Sequence, residues 1–444
     1  MNGLLPRLAQ WSHELSSLPL AADHAARLAF VDTLACIHAG QDEAQVRMIL
    51  TALRRDGVSG RSRSAVSRLR LPTDMAALVN GTAAHALDFD DYEAAASTHP
   101  SAVLVPAILA LCESRDLTLD QALRAYIAGY EAICRVGEAL GYGHYERGWH
   151  STATVGSIGV ALAAARLIGL SVEASISALS IGATQSAGLK TQFGTDVKAV
   201  HPGLAARNGV AAALFAEAGL SASPGAMEGP FGFVAIYGSE GSPGSDFAKD
   251  RIGDDPAILR YPPMLKPWPS CAYTHRPIAA SLALAARPGF DPTQITAIDL
   301  HMPAPYHQVC AITGPKTETE TRFSVSHCVA IALLDGRLGL DGFLEASLSR
   351  SDVRSLAARI TVHPYPLRPG LGDMSPDAPD RLILHFQNGQ EWKETVAHAP
   401  GSPDSPMSPA AVLGKFTNPR LRRRAAKLLT ASPETPFRWS RVNP

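Results

Sequence analysis

The sequence predicts a mainly α protein with a large all-helical domain and a smaller α+β domain. Three observations lead to this fold class. Up to about residue 220, apolar and alanine-rich segments of helical length follow one another with short connections. Many of them are hydrophobic on most sides, which is typical of helices buried in a large bundle. Gly and Pro then accumulate, and alternating β-branched segments appear only after that crossing.

The helical part contains nine predicted helices. Their alanine content and apolar character favour helix over strand throughout this part of the chain. The predicted ranges are 4–15, 21–38, 43–54, 74–87, 100–113, 119–140, 150–168, 172–189 and 203–217.

The second part begins after a loop-rich crossing that starts at Ser221 and is a candidate domain boundary. Alternation predicts strands at 295–302, 358–363, 381–387 and 391–396, and Asn388-Gly389 is a strong signal for a hairpin between the last two. Segments 278–286 and 323–334 read as helices. Residues 255–396 are therefore predicted to form the α+β domain, and 405–429 returns to helix with a basic face.

Composition excludes several classes of function. A net charge of −1 gives no electrostatic argument for nucleic acid or an acidic membrane surface. Six scattered cysteines without a Cys-x-x-Cys suit a reducing compartment and argue against a disulfide scaffold or structural zinc. We find neither a signal peptide nor an uncharged apolar run of membrane-spanning length, so a cytoplasmic location is expected.

The stretch from His85 to Ser101 carries the first candidate site residues. Asp88, Asp90 and Asp91 lie within four positions between two apolar helices. Carboxylates that close tend to perturb one another's pKa. His99 follows, with Pro100 in the helix position that best accepts proline. The alternative is a solvated acidic turn and a simple helix cap.

Three further histidines also precede predicted helices: His150, His201 and His275. Backbone N–H groups are unpaired at such ends, and anions are favoured there. Lys198 and Lys266 lie close by in sequence. If these loops converge, they form a pocket for a small molecule with several carboxylates. The alternative is that each histidine caps only its own helix.

These residue types suit proton transfer at a carbon next to a carboxylate, which needs a tuned base and positive charge for the enediolate. We find no dinucleotide-binding glycine motif, P-loop or nucleophile elbow that would indicate other chemistry. Two other classes stay open: a non-catalytic polycarboxylate-binding protein, and metal-dependent hydrolysis by the many histidines. His144 and His150 lack the HExxH spacing, and no metal or cofactor is expected.

Five ordered motifs resemble the MmgE/PrpD family: Asp88-Phe-Asp-Asp with His99-Pro-Ser, Gly148-Trp-His-Ser-Thr-Ala-Thr, Lys198 to His201-x-Gly, Glu228-Gly-x-x-Gly-Phe, and Lys266-x-x-Pro-Ser-Cys. The family includes 2-methylcitrate dehydratase, cis-aconitate decarboxylase and iminodisuccinate epimerase. The resemblance implies an all-helical domain of residues 1–254 completed by 397–444, a lid domain of 255–396, a homodimer and no cofactor.

The resemblance also implies site residues. Functional positions of the decarboxylase branch match Asp88, His99, His150, Lys198 and Lys266, whereas Tyr92, Cys271 and His327 stand where that branch has threonine, histidine and tyrosine. Motifs around Tyr145 and Cys271 look closest to the epimerase, which makes Tyr145 a candidate second acid or base. Substrate contacts are expected from Asp91, Tyr92, His201, Cys271, His275 and His327. We predict a lyase of a small di- or tricarboxylate, with an epimerase of an aspartate-derived acid as the alternative.

Overall fold

The computed structural model describes residues 3–253, 255–368 and 371–439, and it shows a mainly α protein, as the sequence predicts. The order of elements also follows the prediction. Helices fill the chain as far as Arg260, strands appear after Ile295, and two helices follow the last strand.

The first part holds fourteen helices and one two-stranded ribbon in its described residues. Their bounds are α1 Leu4–Glu14, α2 Leu20–Gly40, α3 Ala44–Arg55, β1 Ser62–Arg63, β2 Arg70–Leu71, α4 Thr73–His85, α5 Pro100–Arg115, α6 Leu119–Leu140, α7 Gly143–Glu146, α8 Ser151–Thr154, α9 Gly156–Ile168, α10 Val172–Thr184, α11 Asp196–Glu217, α12 Phe233–Tyr237, α13 Gly244–Lys249 and α14 Ala257–Arg260.

Helix α11 is the centre of this part and packs against α4, α5, α9 and α10. Its contact with α4 requires glycine. A Cβ on Gly203 would lie 2.3 Å from the carbonyl oxygen of Leu78, and a Cβ on Gly81 would lie 2.8 Å from Gly203 Cα. The two backbones therefore touch. This contact brings the N-terminal turns of α11 against the end of α4, where the loop that carries Asp88, Asp90 and Asp91, here called the acidic loop, begins.

The stretch Ser151–Ile168 is the one described segment that is long and apolar enough to cross a membrane. It is 89% buried inside the protein, as a core helix would be. The structure divides it at Val155 into α8 and α9. The predicted helix at 150–168 is thus two helices, and His150 is the N-cap of the first.

The second part carries α15 His275–Ala285, β3 Ile295–Pro303, α16 Ala304–Val309, α17 Glu318–Thr321, α18 Val325–Asp335, α19 Glu345–Leu348, α20 Ser351–Ala357, β4 Ile360–Tyr365, β5 Asp380–Phe386 and β6 Glu391–Val396. The strands form one sheet in the order β4-β3-β5-β6, with β3 and β4 parallel and the other pairs antiparallel. Helix α15 packs against β5 and β6. The predicted hairpin at Asn388-Gly389 is confirmed, with Gly389 at φ +81°.

The C-terminal helices α21 Pro409–Gly414 and α22 Pro419–Leu428 pack on α2 of the first part. The predicted single helix at 405–429 is therefore two. Lys415 lies between them, and its buried ammonium is 2.5 Å from Asp32 and donates to the carbonyl oxygen of Phe89 at 3.0 Å. The tail thus contacts the acidic loop directly.

Two hydrophobic clusters correspond to the two parts. One runs through residues 4–265 and continues at 412–439, whereas the other gathers Tyr145 with residues 271–386. Each of the two parts therefore has its own hydrophobic core. The boundaries at 254 and 396, and the role of the smaller part as a lid, stay predictions.

Candidate active site

The acidic loop between α4 and α5 positions the first carboxylate by an unusual backbone conformation. Asp88 has φ +51°, in the left-handed region that few non-glycine residues adopt. Further along, Tyr92 pairs with Met264 by two backbone hydrogen bonds, of 3.0 and 2.7 Å. These bonds hold the acidic loop beside the segment that carries Lys266. The loop ends at His99, whose N–H donates to Thr152 of α8.

Asp88 is the anion between the two predicted lysines. Lys266 Nζ lies 2.6 Å from Asp88 Oδ1, and Lys198 Nζ lies 3.2 Å from Asp88 Oδ2. All three side chains are buried. Burial alone would raise the pKa of Asp88, but the two ammonium groups hold it well below its ordinary value. The site therefore carries two positive charges that share one carboxylate.

Asp90 holds two imidazoles. His85 Nδ1 lies 2.8 Å and His99 Nδ1 lies 3.2 Å from the same oxygen, Asp90 Oδ2. Since a carboxylate accepts hydrogen bonds, His85 Nδ1 carries its proton, whereas His99 Nδ1 lies within ion-pair distance of Asp90 without hydrogen-bond geometry. His99 Nε2 is 4.0 Å from Asp88 Oδ1. The carboxylate closer to His99 is therefore Asp90, because the lysines occupy Asp88.

Burial keeps these imidazoles neutral. It lowers the pKa of His85 to about 3 and lowers that of His99, although Asp90 opposes the shift in both. A neutral histidine next to a carboxylate can accept a proton at ordinary pH. His99 therefore meets the chemical requirement for a base.

His150 and His201 form a second imidazole pair, with their Nδ1 atoms 2.8 Å apart. One nitrogen donates and the other accepts, so at most one of the two rings is charged without breaking the bond. Burial lowers the pKa of His150 well below its ordinary value, and it lowers the pKa of His201 to about 4. The His150 ring lies 6.0 Å from that of His85 and 6.5 Å from that of His99.

The sequence predicts His201 at the start of a helix, but the structure places it inside one. Helix α11 begins at Asp196, and Pro202 lies inside it. Pro202 is the seventh residue of α11, where proline removes a backbone hydrogen bond, so the packing of the helix against its neighbours outweighs the break signal and the prediction of a start after Pro202 is wrong. Lys198 and His201 consequently sit on one helix, three residues apart, and point to the same side of it.

Unpaired buried polar atoms mark the space around these rings. In the described part of the chain, His85 Nε2, Asp90 Oδ1 and Ser151 Oγ are buried without a hydrogen-bond partner. Such atoms are rare in a folded protein, and a cluster of them indicates a place for a polar ligand.

His85, Asp88, Asp90 and His99 also lie close enough for a metal ion, since their ligand atoms are within 4.8 Å of one another. The donor set does not fit a cation well. Both oxygens of Asp88 already face ammonium groups, and Asp90 Oδ2 faces two imidazole N–H groups. A divalent ion would add charge beside two lysines. Metal independence stays a prediction that EDTA tests.

Three further predicted site residues lie near Lys198 and Lys266: Tyr145, Cys271 and His275. Lys190 Nζ is 3.8 Å from the centre of the Tyr145 ring. Burial raises the pKa of Tyr145 well above its ordinary value, and Cys271 and Asp88 add to the shift. Burial likewise raises the pKa of Cys271 to about 11. His275 Nε2 contacts the carbonyl oxygen of Ser270 at 3.2 Å, and burial, followed by Lys266, lowers its pKa to about 3.

Three residues expected to bind substrate have other partners. Asp91 accepts hydrogen bonds from the N–H and the hydroxyl of Ser101 at 3.1 and 2.5 Å. His327 lies in α18 and contacts the carbonyl oxygen of Gly342 at 2.9 Å. The Tyr92 hydroxyl donates to Asp373, while its ring lies 5.7 Å from that of His99. Tyr92 thus borders the site, whereas the contacts of Asp91 are with the start of α5.

Sequence reasoning missed several residues of this site, above all His85, Lys190, Tyr273 and Asp373. One signal was available: His85 belongs to the same short stretch as the predicted Asp88, Asp90 and His99. Asp373 gave no local signal, because it lies far along the chain in a loop and meets Tyr92 only through the tertiary fold.

Comparison with known proteins settles the family. Residues 6–245 match the MmgE/PrpD N-terminal domain, and residues 268–425 match the MmgE/PrpD C-terminal domain. The chain belongs to the MmgE/PrpD family. The expected resemblance is thereby confirmed along most of the sequence.

Several MmgE/PrpD relatives are cis-aconitate decarboxylases. The protein of that name from Aspergillus terreus is 25% identical over 441 residues, covering 94% of this chain and 89% of the relative. The Homo sapiens protein is 31% identical over 316 residues, covering 67% and 63%. The Mus musculus protein is 29% identical over 377 residues, covering 81% and 73%. With the family match, these relatives identify the chain as an enzyme, consistent with a lyase.

Proposed function

We propose that this enzyme is a cofactor-independent lyase that removes or returns a proton at the carbon next to a carboxylate of a small di- or tricarboxylic acid. Decarboxylation and dehydration are the two reactions of this class that the family includes. The observation that carries the proposal is the convergence of Asp88, His99, His150, Lys198 and Lys266 in one buried cluster.

Charge explains which substrates suit the site. Lys198 and Lys266 have a single carboxylate, Asp88, between them. A substrate carboxylate next to Asp88 would complete the neutralisation of two ammonium groups in a buried place, where an unpaired charge is costly. The His150–His201 pair and Ser151 Oγ add neutral polar contacts. A molecule with two or three carboxylates therefore fits better than a monoacid.

We assign the proton transfer to His99. Its Nδ1 lies 3.2 Å from Asp90 and its Nε2 lies 4.0 Å from Asp88, on the side of the lysines, so we assign the proton to Nδ1 and the lone pair to Nε2. As Nε2 takes a proton from the α-carbon, electron density moves onto the substrate carboxylate, and the ammonium groups stabilise the enediolate that forms. In a decarboxylation no α-proton is removed: the bond to the departing carboxylate breaks, its electron pair stays on the substrate, and His99 in its protonated form, charged from solvent, donates the proton to that carbon.

A panel of di- and tricarboxylates, followed by proton NMR in heavy water, tests this proposal. We expect loss of substrate with release of carbon dioxide or water, and deuterium in the product at the carbon that accepted the proton. His150→Ala should lower kcat by at least about 10²-fold if it belongs to the proton-transfer site. His24→Ala, which changes an exposed histidine, is the matched control. A panel with neither turnover nor deuterium exchange would refute the proposal.

An epimerase is the second candidate, and Tyr145 supports it. The Tyr145 side chain is buried close enough to Asp88 and Cys271 for their charges to affect its pKa, and Lys190 covers its ring. A phenol there would supply a second proton donor to the enediolate. In this case, the NMR panel would show deuterium exchange and change of configuration without loss of carbon dioxide or water. Tyr145→Phe would then abolish the change of configuration.

A further inference from the structure

The acidic loop and a distant loop meet at a buried carboxyl group, that of Asp373. Three hydroxyl groups donate to one oxygen of it, Asp373 Oδ2. Ser97 lies at 2.8 Å, Tyr273 at 3.0 Å, and the Tyr92 hydroxyl makes the third contact. Ser97 and Tyr92 belong to the acidic loop, whereas Tyr273 immediately precedes α15. The hydroxyls therefore form a carboxylate-binding cradle that Asp373 fills.

This cradle borders the catalytic cluster. The Tyr92 ring is in edge contact with His99, with 5.7 Å between ring centres. On its other side, Asp373 lines a cavity of about 170 Å³ together with Arg260, Arg276 and His398. Asp373 thus stands between this outer cavity, which Asp404 also lines, and the histidines. A substrate anion that enters through this cavity meets Asp373 first.

A negative charge on Asp373 has poor compensation in this place, which disfavours ionisation of the carboxyl group. Among the described residues, no lysine, arginine or histidine forms an ion pair with it, and its other oxygen accepts only the N–H of Met374. Burial raises the pKa of Asp373 to about 8. A carboxyl group in such a place gains hydration when it turns outward, and this gain offsets part of the cost of burying a second carboxylate in its place.

We propose that Asp373 is an internal competitor that occupies a substrate-carboxylate subsite formed by Tyr92, Ser97 and Tyr273. Substrate binds when one of its carboxylates displaces Asp373 into the outer cavity and takes over the three hydroxyl donors. Another carboxylate of the same molecule then reaches the lysine pair. This inference rests on the proposed function and deepens it, because it assigns a second anchoring point for the polycarboxylate.

The loop around Asp373 is built so that this exchange does not disturb the fold. Arg276 donates to the carbonyl oxygens of Ser375 and Ala378 at 3.0 and 2.9 Å. Tyr306 Oη accepts the N–H of Met374 at 2.7 Å. These bonds hold the backbone that follows Asp373, so a change of the Asp373 side chain can leave this part of the loop in place.

Calorimetric titration with propane-1,2,3-tricarboxylate, an unreactive saturated analogue, tests the proposal. Asp373→Ala removes the carboxyl group that fills the cradle, and we expect a Kd about 3- to 10-fold lower than that of the unmodified enzyme, since the cradle is then available in a larger fraction of molecules. Asp373→Ser should act in the same direction. Asp377→Asn, an exposed aspartate of the same loop, is the control and should leave Kd unchanged.

The cradle itself is tested in the Asp373→Ala background. Tyr92→Phe and Ser97→Ala should each cancel the gain in affinity. An unchanged or higher Kd in Asp373→Ala and Asp373→Ser, with melting temperatures close to that of the unmodified enzyme, would overturn the proposal. The proposed function is judged separately by turnover of the substrate panel, so an active enzyme with no gain in affinity would refute the competitor alone. If neither form binds the analogue, the competitor is also refuted.

Discussion

Two neighbouring aspartates of the acidic loop have different roles, although the sequence places them side by side. Asp90 fixes the tautomers of His85 and His99, whereas Asp91 binds Ser101 at the start of α5. Burial raises the pKa of Asp91 well above its ordinary value, despite the hydrogen bonds from Ser101. The sequence predicts a cluster of acids here but does not reveal which acid faces a histidine.

Asp90→Asn should therefore lower kcat by about 10²- to 10⁴-fold, because an amide can present its N–H to His99 and favour the wrong tautomer. Asp91→Asn is the matched change next to it and should affect the melting temperature more than kcat. Steady-state kinetics and thermal melts of both variants check this pair. Equal losses of kcat would contradict the separate roles.

The pH profile follows from the lowered pKa of His99. A base acts in its neutral form, and burial keeps His99 neutral below the ordinary histidine pKa. We expect kcat/KM to stay level from about pH 7.5 down to about pH 6.5 and to fall only in more acidic solution. A profile whose acidic limb lies above about pH 7 would contradict His99 as the base.

The elements around the site show how many of the helices and strands could be predicted from the sequence. The nine long helices, the strands and the hairpin at Asn388-Gly389 were predicted from local patterns, and the structure confirms their presence with shifted ends. The two-residue strands β1 and β2 are too short to show alternation. The start of α11 was misplaced because Pro202 is a break signal that the tertiary packing of α11 overrides.

Helix α11 gives a prediction at this scale. Gly203→Ala should destabilise the protein by about 1–3 kcal/mol, because the new Cβ meets the backbone of α4. It should also lower activity, since α11 carries Lys198 and His201. Gly414→Ala is a suitable control, because a Cβ there has no described neighbour within 4 Å. Chemical denaturation and kinetics of both variants measure the difference; equal stability would contradict the close contact.

At the scale of the whole molecule, four buried histidines couple stability to pH. Burial lowers the pKa of His85 and His275 to about 3 and that of His144 and His201 to about 4. The unfolded chain binds protons near pH 6.5, whereas the folded chain does not, so stability is lost as the pH falls below that value. Each such histidine contributes about 2 kcal/mol of loss by pH 5.

Thermal melts between pH 7.5 and pH 4.5 test this coupling. We expect a steady fall of the melting temperature below about pH 6.5, and a smaller slope in His144→Gln, whose imidazole contacts Thr154 and the carbonyl oxygen of Tyr237 outside the catalytic cluster. A melting temperature that stays constant to pH 5 would contradict the neutral, buried state of these rings.

The predicted homodimer also belongs to this scale. Phe231 is 91% exposed in the single chain, within the Glu228 motif that resembles the family. If the dimer covers it, Phe231→Ser should raise the fraction of monomer measured by light scattering. Leu20→Ser, at an apolar side chain that is 84% exposed, is the control. A monomeric unmodified protein would refute the prediction of a dimer.

The position of Lys415 has a consequence for the folding of the enzyme during its synthesis on the ribosome. The loop that carries Asp88 is translated early. One backbone carbonyl of this loop, that of Phe89, accepts a hydrogen bond from Lys415, which is translated more than three hundred residues later. Chains emerge at about 5–20 residues per second, so the nascent protein carries its histidines and aspartates for tens of seconds before that anchor arrives. We therefore expect ribosome-bound chains stalled before residue 415 to be inactive, and enzymatic competence to begin only when the tail docks on α2.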